Sequence, residues 1–513
     1  GLVVTLVADL GTEVSLPTTI AWLIMIAIGG GAIVLMAGLK KVLGQDKQGA
    51  IVAIILGLSV PIIMGMQGWD DHDRSDKTSA HNLALNYLKS NGENGILFTN
   101  GDNDTFPLWY MQEVEGKRTD VRVCNLSLMQ TDWYTNQMKL KTYESDPLPI
   151  KFTEDQILMY AGKTDQVLFT TLFELFYLKA KPEVIKKVID LRLATDPVSV
   201  PSAVNNFSFT CSSLVNRATA KDPRVIKQLV KIRSIIASPL GADEKAIQIY
   251  RKYDAVMNLF SASQGGLITM EDSGLQALQE ALINFEKSWA TVNLADAMAF
   301  TRDDANIIDY GQGQMVRIFP SSDFVLPVNI ENAVASGIIS KDQTAECNSE
   351  LRFSFEKRAI SREQVMMLDI IANNDWKRSI GYSSPGGSDV SLALYRRGYI
   401  KQNGMVFELS PLANLQERFN SEKMYTNLME NYSYGEMDNP SVLTDYYARR
   451  HTSQYRLHFL SLAENYINKS IQAKMNNDQY ELISATGTVM PSSISEPVSE
   501  KVIKGYQDRA MKL

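Results

Sequence analysis

Two uncharged apolar runs, residues 18–39 and 49–66, stand ahead of a remainder of ordinary mixed composition that continues to residue 513. A chain laid out this way folds as a soluble body tied to a membrane. The first run carries no charged residue over 22 positions, and about 20 such residues cross the hydrocarbon core as a helix. The second, 18 residues with Pro61 inside it, is near the lower length limit and equally uncharged; a buried helix of a soluble core is the competing reading for it. Residues 1–8 (GLVVTLVA) read like the end of another apolar segment. Two transmembrane helices and the tail of a third are therefore expected, in a fragment of a longer membrane protein.

Orientation follows from the short connection, where Lys40, Lys41 and Lys47 face Asp46 alone. Short basic loops stay cytoplasmic. The flanks beyond the two runs hold Asp9 and Glu13 on one side and Trp69-Asp70-Asp71 on the other. Both belong outside the cytoplasm, which puts the large body in the periplasm or its equivalent, with membrane lipid as its neighbour and Trp69 at the interface.

A formal net charge of -7 argues against a nucleic-acid partner, because neutralising phosphates requires a concentrated basic surface. Cys124, Cys211 and Cys347 are too few and too scattered for a disulfide framework or a zinc site, although a single disulfide remains open.

Beyond the apolar runs (residues 1–68), short buried-type strands alternate with helical text. Residues 79–90 and 106–114 have helical spacing, while 95–99 (GILFT) and 120–126 (DVRVCNL) read as strands, the order of a parallel crossover unit. Residues 151–302 are mostly helical by pattern, with 167–178 and 182–193 as examples. Strand-like text returns at 316–319, 324–328, 351–355 and 378–383. The expected fold is α/β, with a domain split between residues 69–150 and 303–410, a helical insertion at 151–302 and a C-terminal helical region at 411–513. Helix pairs in that last region are repeat-like and offer a surface for a protein partner.

Three constellations carry candidate chemistry. Asp70, Asp71, His72 and Asp73 follow the second apolar run, and convergent carboxylate and imidazole groups bind cations or work as acid and base; a juxtamembrane turn whose acids cap the next helix explains them too. Asp102, Asn103, Asp104 and Thr105 follow a strand directly, after Gly101. Such side chains hold a sugar hydroxyl or a cation, or cap the helix that follows, with Pro107 early in it. Ser388 and Asp389 close the segment 383–389 (SSPGGSD), which reads either as an anion-binding nest or as a plain strand-to-helix connection. No Gly-rich phosphate loop is present, no metal site is expected, and His81, His451 and His458 read as surface or packing residues.

The segments 69–75 (WDDHDRS), 95–138, 317–328 and 373–380 resemble a bacterial integral-membrane protein family long described as a domain of unknown function and related to eukaryotic transmembrane protein O-mannosyltransferases. The resemblance runs from residue 69 to about 410. It implies a bacterial inner-membrane glycosyltransferase that takes a sugar from a polyprenyl-phosphate donor, needs no other cofactor, and passes it to a hydroxyl of a protein acceptor outside the cytoplasm. In that architecture the catalytic acid lies in an early external loop that this sequence does not contain, so the resemblance assigns no catalytic residue here. It implies a C-terminal portion contributing acceptor binding or stability. The alternative is a non-catalytic, membrane-anchored envelope module that binds a peptide or glycan.

Overall fold

The computed structural model describes residues 45–72, 76–158, 164–216, 223–252, 273–412, 418–439, 442, 445–486 and 495–513, with isolated positions between 26 and 38. They form two compact units, residues 1–77 with 438–445, and residues 78–437 with 446–513.

The first unit is dominated by helix α1 (Gln45–His72). Its stretch Gly49–Trp69 is the one helix among the described residues that is long and apolar enough to cross a membrane. At 1.5 Å per residue those 21 residues span about 31 Å, close to the hydrocarbon thickness of about 30 Å. Leu58, Ile62 and Met66 lie exposed along it, as a lipid-facing surface requires and as a soluble core helix would not allow. The expected first span, 18–39, and the apolar start, 1–8, lie outside the described residues apart from isolated helical positions. In the same unit Lys77 forms an ion pair with Asp445.

The second unit opens with α2 (Ser79–Lys89), an amphipathic helix that buries Leu83, Ala84, Tyr87 and Leu88. It leads into β1 (Ile96–Thr99), α3 (Asp102–Glu113), β2 (Arg122–Asn125) and α4 (Asp132–Met138). β3 (Gln166–Phe169) and α5 (Leu172–Tyr177) follow. A helical lobe is then built from α6 (Pro182–Thr195), α7 (Ser199–Asn216), α8 (Pro223–Ile236), α9 (Ala242–Tyr250) and α10 (Ser273–Lys287). Beyond it come β4 (Val292–Asn293), α11 (Leu294–Arg302), the pair β5 (Ile308–Asp309) and β6 (Met315–Val316), β7 (Ile318–Phe319), β8 (Asp323–Pro327), β9 (Glu350–Ser354) and β10 (Ala359–Ser361). The chain continues through α12 (Arg362–Asn374), β11 (Ile380–Tyr382), α13 (Asp389–Arg396), β12 (Ile400–Asn403) and β13 (Val406–Leu409). It ends with α14 (Ser421–Thr426), α15 (Tyr446–Thr486) and α16 (Glu500–Lys512).

The principal sheet has the order β12-β13-β11-β1-β2. β1 pairs in parallel with β2 on one side (Phe98 opposite Cys124) and with β11 on the other (Phe98 opposite Tyr382). Alternation along these strands sends Ile96, Phe98 and Cys124 into a core shared with α12 and α13, and Leu97 and Val123 into one shared with α2 and α3. The three parallel strands are thus buried on both faces, and β13, antiparallel to β11 and β12, makes the sheet mixed. Two smaller sheets, β10-β3-β7 and β4-β8-β9, extend the first core. The helical lobe has its own core, centred on Tyr250, Phe285 and Trp289, with ring centroids 5.5 Å apart for Tyr250 and Phe285.

Several elements differ from their sequence reading. The run 167–178 is not one helix: Val167–Phe169 belongs to β3, and Thr171 then starts α5 by accepting from the Glu174 amide at 3.1 Å while Glu174 accepts from the Thr171 amide. The segment 151–302 thus contains strand as well as helix, since β3 and β4 pair with β7, β10 and β8. The hairpin β12–β13 is absent from the sequence reading. Within the region read as helical from residue 411, residues 413–417 lie outside the described residues, and Phe419 forms a bridge to Gln402. The three cysteines are free thiols, two of them buried.

Candidate functional site

Strand order selects the place to look for a ligand. β1 leads through α3 to β2 on one flank, while its neighbour β11 leads through α13 to β12 and β13 on the other. Connections that diverge from two adjacent parallel strands leave a crevice outside their carboxyl ends. Two of the three constellations, separate in the sequence, meet there.

Asp104 joins them. It sits in the first turn of α3, where its Oδ2 accepts from the Asn100 amide and its Oδ1 from the Gly101 amide, both at 3.0 Å. The Ser383 hydroxyl, at the end of β11, donates to Oδ2 at 2.6 Å. One carboxylate therefore caps a helix and ties the two strand ends together. Thr105 is equally committed. Its hydroxyl lies 2.7 Å from that of Thr99 and accepts from Asn125 Nδ2 at 3.0 Å, with all three residues buried. Asp102 and Asn103 are exposed at the mouth. Pro107, the sixth residue of α3, has no N–H to give to the Asn103 carbonyl, which costs the start of the helix one backbone bond.

The β2 and β11 loops complete the rim. The Ser127 hydroxyl donates to the Asn100 carbonyl at 2.9 Å. Gly387 lies under the Asn100 side chain, where a Cβ would come within 1.9 Å of Nδ2, so only glycine permits this approach. Ser388 caps α13, accepting from the Ser391 amide at 3.0 Å, and Asp389 pairs with Lys357 at 2.8 Å. Both are thus bound into local structure. Beneath the rim, burial pushes the Cys124 thiol up to about 12, so it is no nucleophile at neutral pH.

The juxtamembrane constellation is placed differently. Asp70, Asp71 and His72 continue α1 as helix instead of forming a turn. Asp73 lies outside the described residues. The next helix, α2, has Thr78 at its N-cap with no side-chain capping bond. Among the described residues no group of three His, Cys, Asp or Glu side chains is placed to hold a metal ion.

The sequence reading missed Asn100, Ser127 and the pairing of Asp104 with Ser383. The position of all three just after a predicted strand was the available signal.

Residues 80–428 match the family described as TMEM260-associated domain 2, a span that contains both halves of the crevice. No curated protein and no solved structure matches the chain.

Proposed function

The chain belongs to the TMEM260-associated domain 2 family, and from that membership we propose that it is the extracytoplasmic portion of a membrane glycosyltransferase of the protein O-mannosyltransferase kind. The match over residues 80–428, directly beyond a helix able to cross a membrane, is the observation that carries the reading. The donor is a polyprenyl-phosphate sugar and the acceptor a protein hydroxyl. A second span at 18–39 and a cytoplasmic connection at 40–49 belong to its membrane part, in a bacterial inner membrane with the body in the periplasm. The C-terminal helices α15 and α16 are its surface for a protein partner.

Within that reading the crevice handles acceptor and does not make the bond. Transfer breaks the bond between the sugar carbon and the phosphate oxygen, forms one to the acceptor oxygen, and requires a base for the hydroxyl proton. Asp104 already accepts three hydrogen bonds and Thr105 is buried in a network, which suits holding a peptide segment against the exposed Asp102 and Asn103 side chains. The same commitment favours the second reading, a membrane-anchored module that binds peptide or glycan without catalysis.

Deleting the full-length gene and measuring envelope proteins by intact-mass spectrometry separates the two. Loss of a uniform hexose-containing mass from many proteins, restored by the wild-type gene, supports the transferase; an unchanged profile leaves the binding module. Complementation with Asp102→Ala at normal membrane abundance is expected to restore the mass only in part.

A further inference from the structure

We propose that a second cleft, at the opposite end of α3 from the crevice, binds a neutral pyranose ring of a glycan. It lies between the C-terminal half of α3, the edge strand β2, α4 and the turn 142–145, and encloses about 260 Å³. That is somewhat below the range of about 300–1,000 Å³ usual for drug-sized ligands, and suits a single ring.

Four aromatic side chains from three different elements line the cleft: Trp109, Trp133, Tyr134 and Tyr143. Trp133 and Tyr143 are 57% and 56% exposed, a large apolar area to leave in water at the mouth of a cleft. Tyr143 is also held in the left-handed region at φ 51°, uncommon for a bulky residue and typical of ligand clamps. Its turn is closed by the reciprocal pair Thr142 N to Ser145 O (3.2 Å) and Ser145 N to Thr142 O (3.0 Å), and its hydroxyl donates to the Glu113 carboxylate. The ring is thus fixed in place before any ligand arrives.

The polar lining disfavours anionic ligands. Arg122, the one cation in the wall, is buried and spends its donors on Ser145 Oγ and on the carbonyls of Met138, Leu140, Ser145 and Asp146. Its charge persists, but most of the donors that would grip a phosphate or carboxylate are committed to these oxygens, and the Glu113 and Glu144 carboxylates disfavour an anion. Gln112 gives its NH2 to the Arg118 and Val121 carbonyls at 2.7 and 2.8 Å, so its Oε1 serves as an acceptor. Gln137, Thr142 and Glu113 add donors and acceptors. Flat C–H faces for aromatic rings, with hydroxyls that both donate and accept around the edge, describe a neutral sugar. This site does not depend on the transferase reading: a glycan-binding cleft serves an enzyme and a binding module alike.

The test uses the full chain in detergent micelles, with methyl α-mannopyranoside, methyl β-glucopyranoside and a threonine-rich peptide as probes, followed by tryptophan fluorescence and ligand-observed NMR. Saturable binding of at least one pyranoside is expected. Trp133→Ala should weaken it at least tenfold and Gln137→Ala severalfold, both at unchanged thermal midpoint. Binding of the peptide alone, of no probe, or of a pyranoside with undiminished affinity in Trp133→Ala overturns the proposal. Because the readout is binding, failure here leaves the gene-deletion result standing on its own.

Discussion

Two carboxylates, Asp104 in the sheet body and Glu286 in the helical lobe, show two ways of placing charge in one fold. Asp104 is half-buried and accepts two amides and a hydroxyl. Glu286 is buried, takes Arg192 Nη2 at 2.8 Å and the Leu172 amide at 3.1 Å on Oε1, and leaves Oε2 without a partner. Arg192 Nε and Nη1, the Tyr250 hydroxyl and Trp289 Nε1 around it are likewise unpartnered. The first arrangement converts charge into hydrogen bonds that position two loops. The second holds two charges in a low-dielectric core, where each depends on the other and a buried pair is only weakly stabilising overall. Rigidity at the crevice and brittleness in the lobe are the expected result.

The largest effect should come from the lobe. Glu286→Gln leaves Arg192 as an uncompensated buried cation, and a loss of about 3–5 kcal/mol is expected in chemical denaturation. The double variant Arg192→Leu with Glu286→Met should recover most of it; failure to recover would mean that the pair is needed for more than mutual neutralisation. Next, Asp104→Ala removes a helix cap and the link to β11, for about 2 kcal/mol. Ser383→Ala should cost about 1 kcal/mol, and a double-mutant cycle between the two should show coupling of at least about 0.5 kcal/mol. Additive losses would show that the two strand ends are held independently. Gly387→Ala, which must displace the Asn100 side chain, should cost about 1 kcal/mol and reduce acceptor binding more than stability.

The smallest effect is a control outside both regions. Burial pushes the His458 imidazole in α15 down to about 4. The unfolded chain binds the proton first, so this group's stabilisation is present above about pH 6.5 and is lost as pH falls toward 4. His458→Gln should raise the thermal midpoint at pH 5 by about 1–2 °C relative to wild type and change little at pH 7.5.

The strands at the crevice were legible because each is a short apolar run abutting polar loop text, as at 95–105 and 378–389. The hairpin β12–β13 was not. Its first strand, Ile400–Asn403, is buried throughout yet mostly polar, so neither alternation nor an apolar run marks it. Those polar groups find partners only once the hairpin has formed, Gln402 Nε2 donating to the Gly404 carbonyl at 2.9 Å and Asn403 Nδ2 to the Glu408 carboxylate, while Asn427 Nδ2 donates to the Asn403 carbonyl at 3.0 Å. The break at Thr170 and Thr171 was legible in principle, since Thr171 with Glu174 is a capping box, but the apolar run around it dominated the pattern. At the crevice the residue types were visible and their meeting was not, because Asp104 and Ser383 stand 279 positions apart. The cleft lined by Trp109, Trp133 and Tyr143 gave no signal, as its rings fall on separate elements with no common spacing.

That separation also sets an order of events in the cell. Synthesis runs at about 5–20 residues per second, so the interval between β1 leaving the ribosome and β11 following it is on the order of tens of seconds. Throughout that time β1 has β2 on one side and an open edge on the other, which is the geometry that invites wrong pairing. The helical lobe, built from contiguous residues with its own core, has time to form first. Production of this chain is therefore expected to respond more to holdase chaperones and to slow growth than its final stability would suggest.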